Sequence, residues 1–595
     1  MMEQVDPEAR NKVFSVLRNN EIDALKSLLA ESPYLANVRS FSGTALAVAV
    51  CHGNPKAVQV LLDAGASPLG DETFGNTFLS TLELAAAYGS LETMRLLLVR
   101  LKATSPTGVV IWGCDELKLI QRAMSAAAAS GHVAILVQFL DTFDCSDEAI
   151  EGSFLAAVGR WEVEAVELLL QRPRTSWRNK ELFTKAFRQA MRPKYLRIDE
   201  ERSGVLYHDT DWDKHYRLVT RLLDETDIDV RQPEHGHFLS QALDGLEMQG
   251  ALRALLDTGI DPNTRFENGC TPLHLLASPK DMYEITKKDG EEMHELGIRV
   301  LREKGASITI ENNEGETPSH WAAELAETAT FTRYYLPADD RHLLSTNQYG
   351  ETLLHFAAAG GKHKTVEFLV SCGKFDVNAT NSTSWTPLLC ALVPNDRACK
   401  TEIEAVKTAR LLLTHGADPR AVTAEGLTVL HLIGSHWDLS EQGPEDSDED
   451  NDYNDNGKRQ KAWSTAFEGD SSAATLAKEF FLGHLGLPSV QSPATFPSIS
   501  PLGSQYDVWG GRLYRLLHVL NEETPSSNDI HIVKNRSPLH FAAECGASGV
   551  AKVLKDLGGA DNEAKDTDGK TPWDLAHERS LIFGRAWEAT KKAVQ

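Results

Sequence analysis

The stretch Ser537–Ala542 reads SPLHFA, and its first four positions return along the chain. They appear as TPLH at Thr271–His274, TPSH at Thr317–His320, TLLH at Thr352–His355, TPLL at Thr386–Leu389, TVLH at Thr428–His431 and TPWD at Thr571–Asp574. Counting Ser537 in its place, successive starts are 46, 35, 34, 42, 109 and 34 residues apart. Three of these steps lie near a period of about 33, and the others read as that period with an insertion. A second string follows the first: an apolar cluster, a glycine, then a small residue with Asp or Ser. It reads LLDAGASP from Leu61, LLDTGIDPN from Leu255, LREKGASI from Leu301 and LLTHGADP from Leu412. Between the two strings the apolar residues fall at helical spacing, as at Val406, Ala409 and Leu413, and place one greasy stripe on a helix. Alanine pairs such as Ala85-Ala86, Ala357-Ala358 and Ala542-Ala543 sit in the first helix and permit close approach of its neighbours.

These strings resemble the ankyrin repeat, whose T-P-L-H-x-A signature is met closely at Ser537–Ala542 and with one change at Thr352–Ala357. The resemblance implies an all-α, ankyrin-type repeat solenoid. Each unit is then two short antiparallel helices and a projecting β-turn finger. The Thr caps the first helix, Pro suits its first turn, and the Gly after the second helix supplies a left-handed end. Weaker copies run toward the N-terminus: Asn11–Leu29, Gly43–Pro68, Thr81–Leu98, Gln121–Leu140, Gly152–Leu170 and His237–Asn263. About fourteen units result, over some four-fifths of the chain. One unit cannot bury its own apolar face, so stacking makes the core. The end helices, near Pro7–Leu17 and Phe583–Val594, are expected to be polar caps.

The expected organisation is degenerate repeats at 1–175, a basic irregular repeat or insertion at 176–235, repeats at 236–436, an acidic then Pro/Ser-rich insertion at 437–505, and C-terminal repeats at 506–595. Gln171–Arg202 carries ten Lys or Arg against four Asp or Glu. It reads either as a solvated loop with a basic helix face or as a docking patch for an acidic segment. Lys280–Glu292 lengthens one repeat as a surface loop. The insertion from Trp437 to Ser504 splits a repeat that begins at Thr428, and its second helix is expected within Asp507–Leu520. Eight acidic side chains in Glu441–Asp455 and the prolines at 488, 493, 497 and 501 predict disorder at Glu441–Lys461 and low order near Pro488–Ser504. The apolar Ala474–Leu485 reads as a short helix that docks on the array or binds a partner. Ser447, before Asp-Glu-Asp, and Ser492 and Ser500, each before proline, fit phosphorylation contexts, which are also common by chance.

The chain has 595 residues, 42% of them hydrophobic and 24% charged. That composition is globular and excludes wholesale disorder, collagen and a mucin-like stalk. Sixty basic against 85 acidic side chains give a net charge of −25, which argues against nucleic-acid binding through bulk charge. No stretch reads as a signal peptide or a membrane span. Eight scattered cysteines without Cys-x-x-Cys fit a reducing compartment, the cytoplasm or the nucleus. The phosphate-loop, zinc-protease, nucleophile-elbow and kinase motifs are missing, and no cofactor is indicated. His235, His237 and Cys51-His52 have ligand chemistry but no spacing that completes four ligands. The five repeat histidines, His274, His320, His355, His431 and His540, recur one per unit. In the resembled family this residue bonds the capping Thr (here Thr271, Thr317, Thr352, Thr428 and Ser537), so they read as structural.

Binding is expected at the finger tips and on the exposed side of the first helices. Candidate contacts are Phe74, Phe266, Glu314, Tyr349, Trp385 and Glu425, with Glu267 and Glu311 beside them. The alternative is that each tip aromatic packs on the next finger. The expected function is a non-catalytic protein-binding scaffold or adaptor. It is monomeric and presents a mostly acidic groove to partners of basic or mixed charge. One rival is a regulatory component of signalling, transcription or a biosynthetic pathway acting through the acidic insertion. The other is an enzyme whose site gathers His208, Asp211 and His215.

Overall fold

The apolar spacing of the sequence becomes helix after helix in a computed structural model. It describes residues 7–40, 43–67, 80–103, 114–171, 179–192, 209–277, 287–435, 472–482, 489–498, 531–583 and 587–595, apart from 144, 227, 233–234, 244–247, 267, 394, 396–397 and 399. The chain divides into two compact units, one of residues 1–261 with 285–293 and one of residues 262–284 with 294–595.

Seven helix pairs build the first unit: Pro7–Arg18 with Ile22–Glu31, Ala45–Cys51 with Pro55–Asp63, Thr81–Tyr88 with Leu91–Ala103, Cys114–Ala129 with Val133–Thr142, Asp147–Gly159 with Val163–Leu170, Lys180–Ala190 with Asp209–Leu223, and Gly236–Ala242 with Gln249–Asp257. Several of the starts are set by side chains that accept orphan backbone N–H groups. Thr44 accepts from Ala47, Asn54 from Ala57 and Asn179 from Leu182, while Ser80 and Glu83 cap each other reciprocally. First helices stack on first helices through aromatic contacts such as Phe154–Phe183, 5.6 Å between centroids, and Phe187–Phe238, 4.8 Å. The basic stretch at 176–235 is thus partly a repeat. The side chains Leu182, Phe183, Ala186, Phe187 and Ala190 are buried in its first helix.

The second unit holds Pro272–Leu275 with the larger part of Lys287–Glu303, Pro318–Leu325 with Thr328–Thr330 and the π-helical turn Phe331–Tyr335, Leu353–Ala359 with His363–Ser371, and Pro387–Leu392 with Glu402–Thr414. Val429–Ile433 with Ser472–Leu482, Pro538–Glu544 with Ser548–Asp556, and Pro572–Phe583 with Glu588–Val594 follow. Among the described residues the two units therefore hold fourteen helix pairs. Adjacent first helices approach so closely that a Cβ at Gly360 would overlap the Glu324 carbonyl, which is why this face is written in alanine and glycine.

One expectation is overturned. The second helix of the repeat opened by Thr428 is Ser472–Leu482, not a segment of Asp507–Leu520. It packs between the second helices of the repeats before and after it, Glu402–Thr414 and Ser548–Asp556. Ala473, Ala474, Leu476, Ala477 and Phe480 are buried there, and Arg410 holds Glu479 by two hydrogen bonds of 3.0 and 2.7 Å. The five apolar side chains supply the stripe that the slot requires, so the insertion completes the repeat that it interrupts. Residues 436–471, 499–530 and the segment 507–520 lie outside the described residues.

Strands are few. Arg39–Ser40 pairs antiparallel with Gly43–Thr44. Ala494–Ser498 pairs antiparallel with His531–Arg536, with an irregularity between Ala494 and Phe496. This second ladder is a finger lengthened into a hairpin at the entry to Ser537. No helix among the described residues is long and apolar enough to cross a membrane. No disulfide joins any of the described cysteines.

Candidate functional site

The repeat histidines are built into the frame. Each Nδ1 accepts the backbone N–H of the Ser or Thr three residues earlier: 2.9 Å at Thr271–His274, 3.1 Å at Thr317–His320, 3.2 Å at Thr352–His355, 3.2 Å at Thr428–His431 and 3.1 Å at Ser537–His540. At four of the five, Nε2 then reaches the next unit. His274 meets the Glu316 carbonyl at 3.0 Å, His355 that of Trp385 at 3.3 Å, and His540 that of Lys570 at 3.2 Å. His431 Nε2 is shared between the carbonyls of Ser492, 3.1 Å, and Arg536, 3.2 Å. An Nδ1 that accepts and an Nε2 that donates define a neutral ring. Burial accordingly pushes the pKa of His320 and His431 down to about 4, and lowers those of His355 and His540.

The fingers share a second construction. In four fingers the first residue of the turn accepts backbone N–H groups two and four positions on. Asn312 accepts from Glu314 and Glu316, both at 2.9 Å, and Asn347 from Tyr349 and Glu351 at 3.1 and 2.9 Å. Asn381 accepts from Thr383 and Trp385 at 3.0 and 2.9 Å, and Asp566 from Asp568 and Lys570 at 3.0 and 2.9 Å. The residue two before the Thr has positive φ, as at Gly315, Gly350 and Gly426, with Ser384 at 65° in the same place. Successive fingers are joined by backbone rungs. Asn313 N–H donates to Asn268, Gln348 to Glu314, Ser382 to Tyr349 and Ala424 to Thr383, over 2.8–3.1 Å.

This geometry sorts the candidate contacts. Phe266, Glu314, Tyr349 and Glu425 are half-buried along the finger row, and Glu311 is exposed. Phe74 and Glu267 lie outside the described residues. Trp385 is corrected: its exposure is 0%. The glycine position is one residue earlier than the sequence reading placed it. Trp385 instead occupies the inward position directly before the Thr, which is also buried at Cys270, Glu316, Glu351, Leu427 and Arg536. A side chain there supports the finger from beneath and does not meet a partner. Ser492 is half-buried in a turn closed by its N–H to the Ser489 carbonyl, 3.0 Å. Ser447 and Ser500 lie outside the described residues.

The exposed side of the first helices differs between the units. In the second unit, Leu353–Ala359, Pro387–Leu392, Val429–Ile433 and Pro538–Glu544 are buried along their whole length. Two buried polar clusters help cover them. The Asn395 amide bonds Glu324 at 2.8 Å and the Ala359 carbonyl at 3.0 Å. Lys400 Nζ donates to the Cys390 and Ala391 carbonyls at 3.3 and 3.0 Å, and its burial pushes the pKa down to about 7. Glu544 is held by Arg536 and by Arg579 at 2.9 Å, and Arg536 also meets Asp566 at 3.3 Å. Sequence reading missed both clusters. The signal for the first was the 42-residue step from Thr386 to Thr428, which contains the lengthened turn carrying Asn395 and Lys400. In the first unit Cys114–Ala129, Asp147–Gly159 and Lys180–Ala190 keep an exposed face, whereas Ala45–Val50 and Thr81–Ala86 are buried. Lys118, Arg122, Lys185, Arg188 and Arg192 are exposed on or just beyond these helices, with Glu148 and Glu181.

Of the three residues proposed for catalysis, only the His215 side chain is described. His215 is fully buried, stacked 3.8 Å from Trp161, with Nε2 on the Ala190 carbonyl at 2.9 Å. His208 and the Asp211 side chain lie outside the described residues. His235 and His237 stand 6.3 Å apart, centroid to centroid. Among the described residues no three His, Cys, Asp or Glu side chains are grouped to hold a metal ion.

Comparison with known proteins agrees with the repeat geometry. The family model described as Ankyrin repeats (3 copies) matches residues 329–422. The chain is 31% identical over 183 residues to the ANK repeat-containing protein nipk-1 of Caenorhabditis elegans, a match covering 29% of each chain. It is 30% identical over 181 residues to the putative ankyrin repeat protein YahD of Escherichia coli (strain K12), covering 30% of this chain and 81% of that protein. It is 30% identical over 199 residues to Ankyrin repeat and SOCS box protein 16 of Mus musculus, covering 28% of this chain and 42% of the mouse protein. The chain thus spans less than a third of the length of the nematode relative.

Proposed function

This chain belongs to the ankyrin repeat family, and from that premise we propose that it is a non-catalytic scaffold or adaptor for other proteins. The observation that carries the reading is the rung-linked finger row. Tyr349, Glu314 and Glu425 stand half-buried on an edge whose backbone is fixed, and a pre-organised surface binds without an ordering cost. In this reading the buried histidines, Lys400 and the Arg536 cluster serve the frame, and the chain acts as a monomer. The finger edge of the second unit favours partners of basic or mixed charge, because Glu311, Glu314 and Glu425 lie along it.

Affinity capture with the full chain tests this, compared with a Glu314→Lys/Tyr349→Ala/Glu425→Lys variant. Recovery of fewer partners, or weaker recovery, supports the finger assignment. Identical recovery refutes it. A purified chain that turns over a small molecule unaided refutes the non-catalytic reading. The regulatory reading, through the acidic insertion, draws support from Ser472–Leu482 being a repeat helix. Residues 436–471 then form a connection that is removable without cutting the stack. Loss of a cellular effect with partner capture intact, after excision of 437–470, would favour it.

A further inference from the structure

On the first helix Lys180–Ala190 and the residues that follow it, buried and exposed positions separate cleanly. Leu182, Phe183, Ala186, Phe187 and Ala190 face inward, and Phe183 and Phe187 meet Phe154 and Phe238. Lys185, Arg188 and Arg192 recur at i, i+3 and i+7 and are exposed on the opposite side, with Glu181 at the head of the stripe. None of the three cations lies within ion-pairing distance of an acidic side chain among the described residues. Other cations of this unit are engaged. Arg122 holds Glu83 at 2.7 Å, Arg217 holds Glu167 at 3.1 Å and Arg221 holds Glu225 at 2.9 Å.

The neighbouring first helix, Asp147–Gly159, turns Glu151, Gly152, Leu155 and Gly159 half-buried to the same side, with Glu148 exposed near its head. Gln189 crosses over Gly159 to the Leu155 carbonyl at 3.1 Å. In a chain of net charge −25, this leaves three exposed cations without an acidic partner among the described residues.

We propose that this face of the first unit, the stripe of Lys185, Arg188 and Arg192, docks an extended acidic segment of a partner protein. Lys185 and Arg188 lie about 4.5 Å apart along the helix axis at about 1.5 Å per residue, and Arg192 follows just beyond the helix end at Ala190. An extended peptide places every second side chain on one side, about 6.6 Å apart. Two or three carboxylates at alternate positions therefore match the stripe, with guanidinium forks at two of the three contacts. The inference rests on the scaffold reading and names a partner chemistry for a different surface from the finger row.

The test is fluorescence anisotropy with the full chain and a labelled ten-residue peptide of alternating Glu and Ser. A peptide of alternating Gln and Ser serves as the control. Binding is expected for the acidic peptide only. It should weaken about tenfold in a Lys185→Ser/Arg188→Ser/Arg192→Ser variant, taking each exposed pair at the middle of its usual worth. Raising NaCl from about 50 to about 200 mM should weaken it as well. A Lys185→Arg/Arg188→Lys/Arg192→Lys variant should retain binding, which separates charge from loss of fold. The proposal is overturned if the acidic peptide does not bind, as when Asp199, Glu200 and Glu201 neutralise the stripe. Equal binding by the serine variant also overturns it. So does preference for a short single-stranded DNA over the peptide, lost in the same variant, which would make the face a nucleic-acid site. A chain that captures partners through its fingers but ignores the peptide fails this inference alone.

Discussion

Moving the chain from pH 7 to pH 5 should destabilise its second unit through the repeat histidines. His320 and His431 have folded pKa values of about 4, against about 6.5 for an unfolded histidine. A lowered value means that the unfolded chain binds the extra proton first. The histidine contribution is therefore complete above pH about 6.5 and is lost as pH falls from there toward 4. Between pH 7 and 5 each of the two rings should cost about 2 kcal/mol of stability, and about 4 kcal/mol together. His355 and His540 shift in the same direction and add to the loss. The structural cause is specific. A proton on Nδ1 turns the acceptor of the buried Ser or Thr N–H into a second donor, and the cap at the start of the helix is lost.

Stopping at pH 5 keeps the lowered carboxylates out of the window, since Asp229 sits at about 2 and Asp339, Asp418 and Asp574 are also below the usual range. The assay is urea unfolding by circular dichroism at both pH values, with proton uptake on unfolding measured near pH 5.5. A lower midpoint at pH 5 and uptake of two or more protons are expected. An unchanged midpoint would refute the argument. So would folded-state NMR titration of His320 or His431 near 6.5.

Three further outcomes follow from packing. Trp385→Ala should cost about 3–5 kcal/mol, read as a lowered urea midpoint, with no partner selectively lost among chains that remain folded. Ser384→Gly should stabilise by up to about 1 kcal/mol, because φ is 65° there and a Cβ is strained in that region; a midpoint that falls contradicts this. Replacing 437–470 with a short Gly/Ser linker should leave the midpoint unchanged. Deleting 441–504 should lower it, at a cost of at least about 3 kcal/mol of stability, because Leu476 and Phe480 leave the core; equal midpoints for the two deletions contradict the assignment of Ser472–Leu482.

The helix pairs and the role of the histidines were legible because both are local. A cap, a proline and a histidine three residues on specify a helix start without reference to the rest of the chain. The place of Ser472–Leu482 was not legible. Its apolar spacing was visible, but a slot between Glu402–Thr414 and Ser548–Asp556 is a property of two distant segments. The misplacing of Trp385 was an error of one residue. The finger's left-handed position lies two before the Thr, and Ser384 hides it by standing where five other fingers have glycine. The Asn395–Lys400 cover over Glu324 left no signal beyond a lengthened step, since burial of a lysine depends on what folds across it. The exposed cationic stripe was half visible, as a local excess of Lys and Arg. Its orientation needed the phenylalanines that turn the other side of the helix inward.

The rungs between fingers separate where this edge is from what it is made of. Asn313, Gln348, Ser382 and Ala424 take their places through amide groups that every residue except proline possesses. Side chains at these tips are free to change without shifting the line on which they stand. A lineage could rewrite the recognition text letter by letter, while the spacing of the page stays ruled by the main chain.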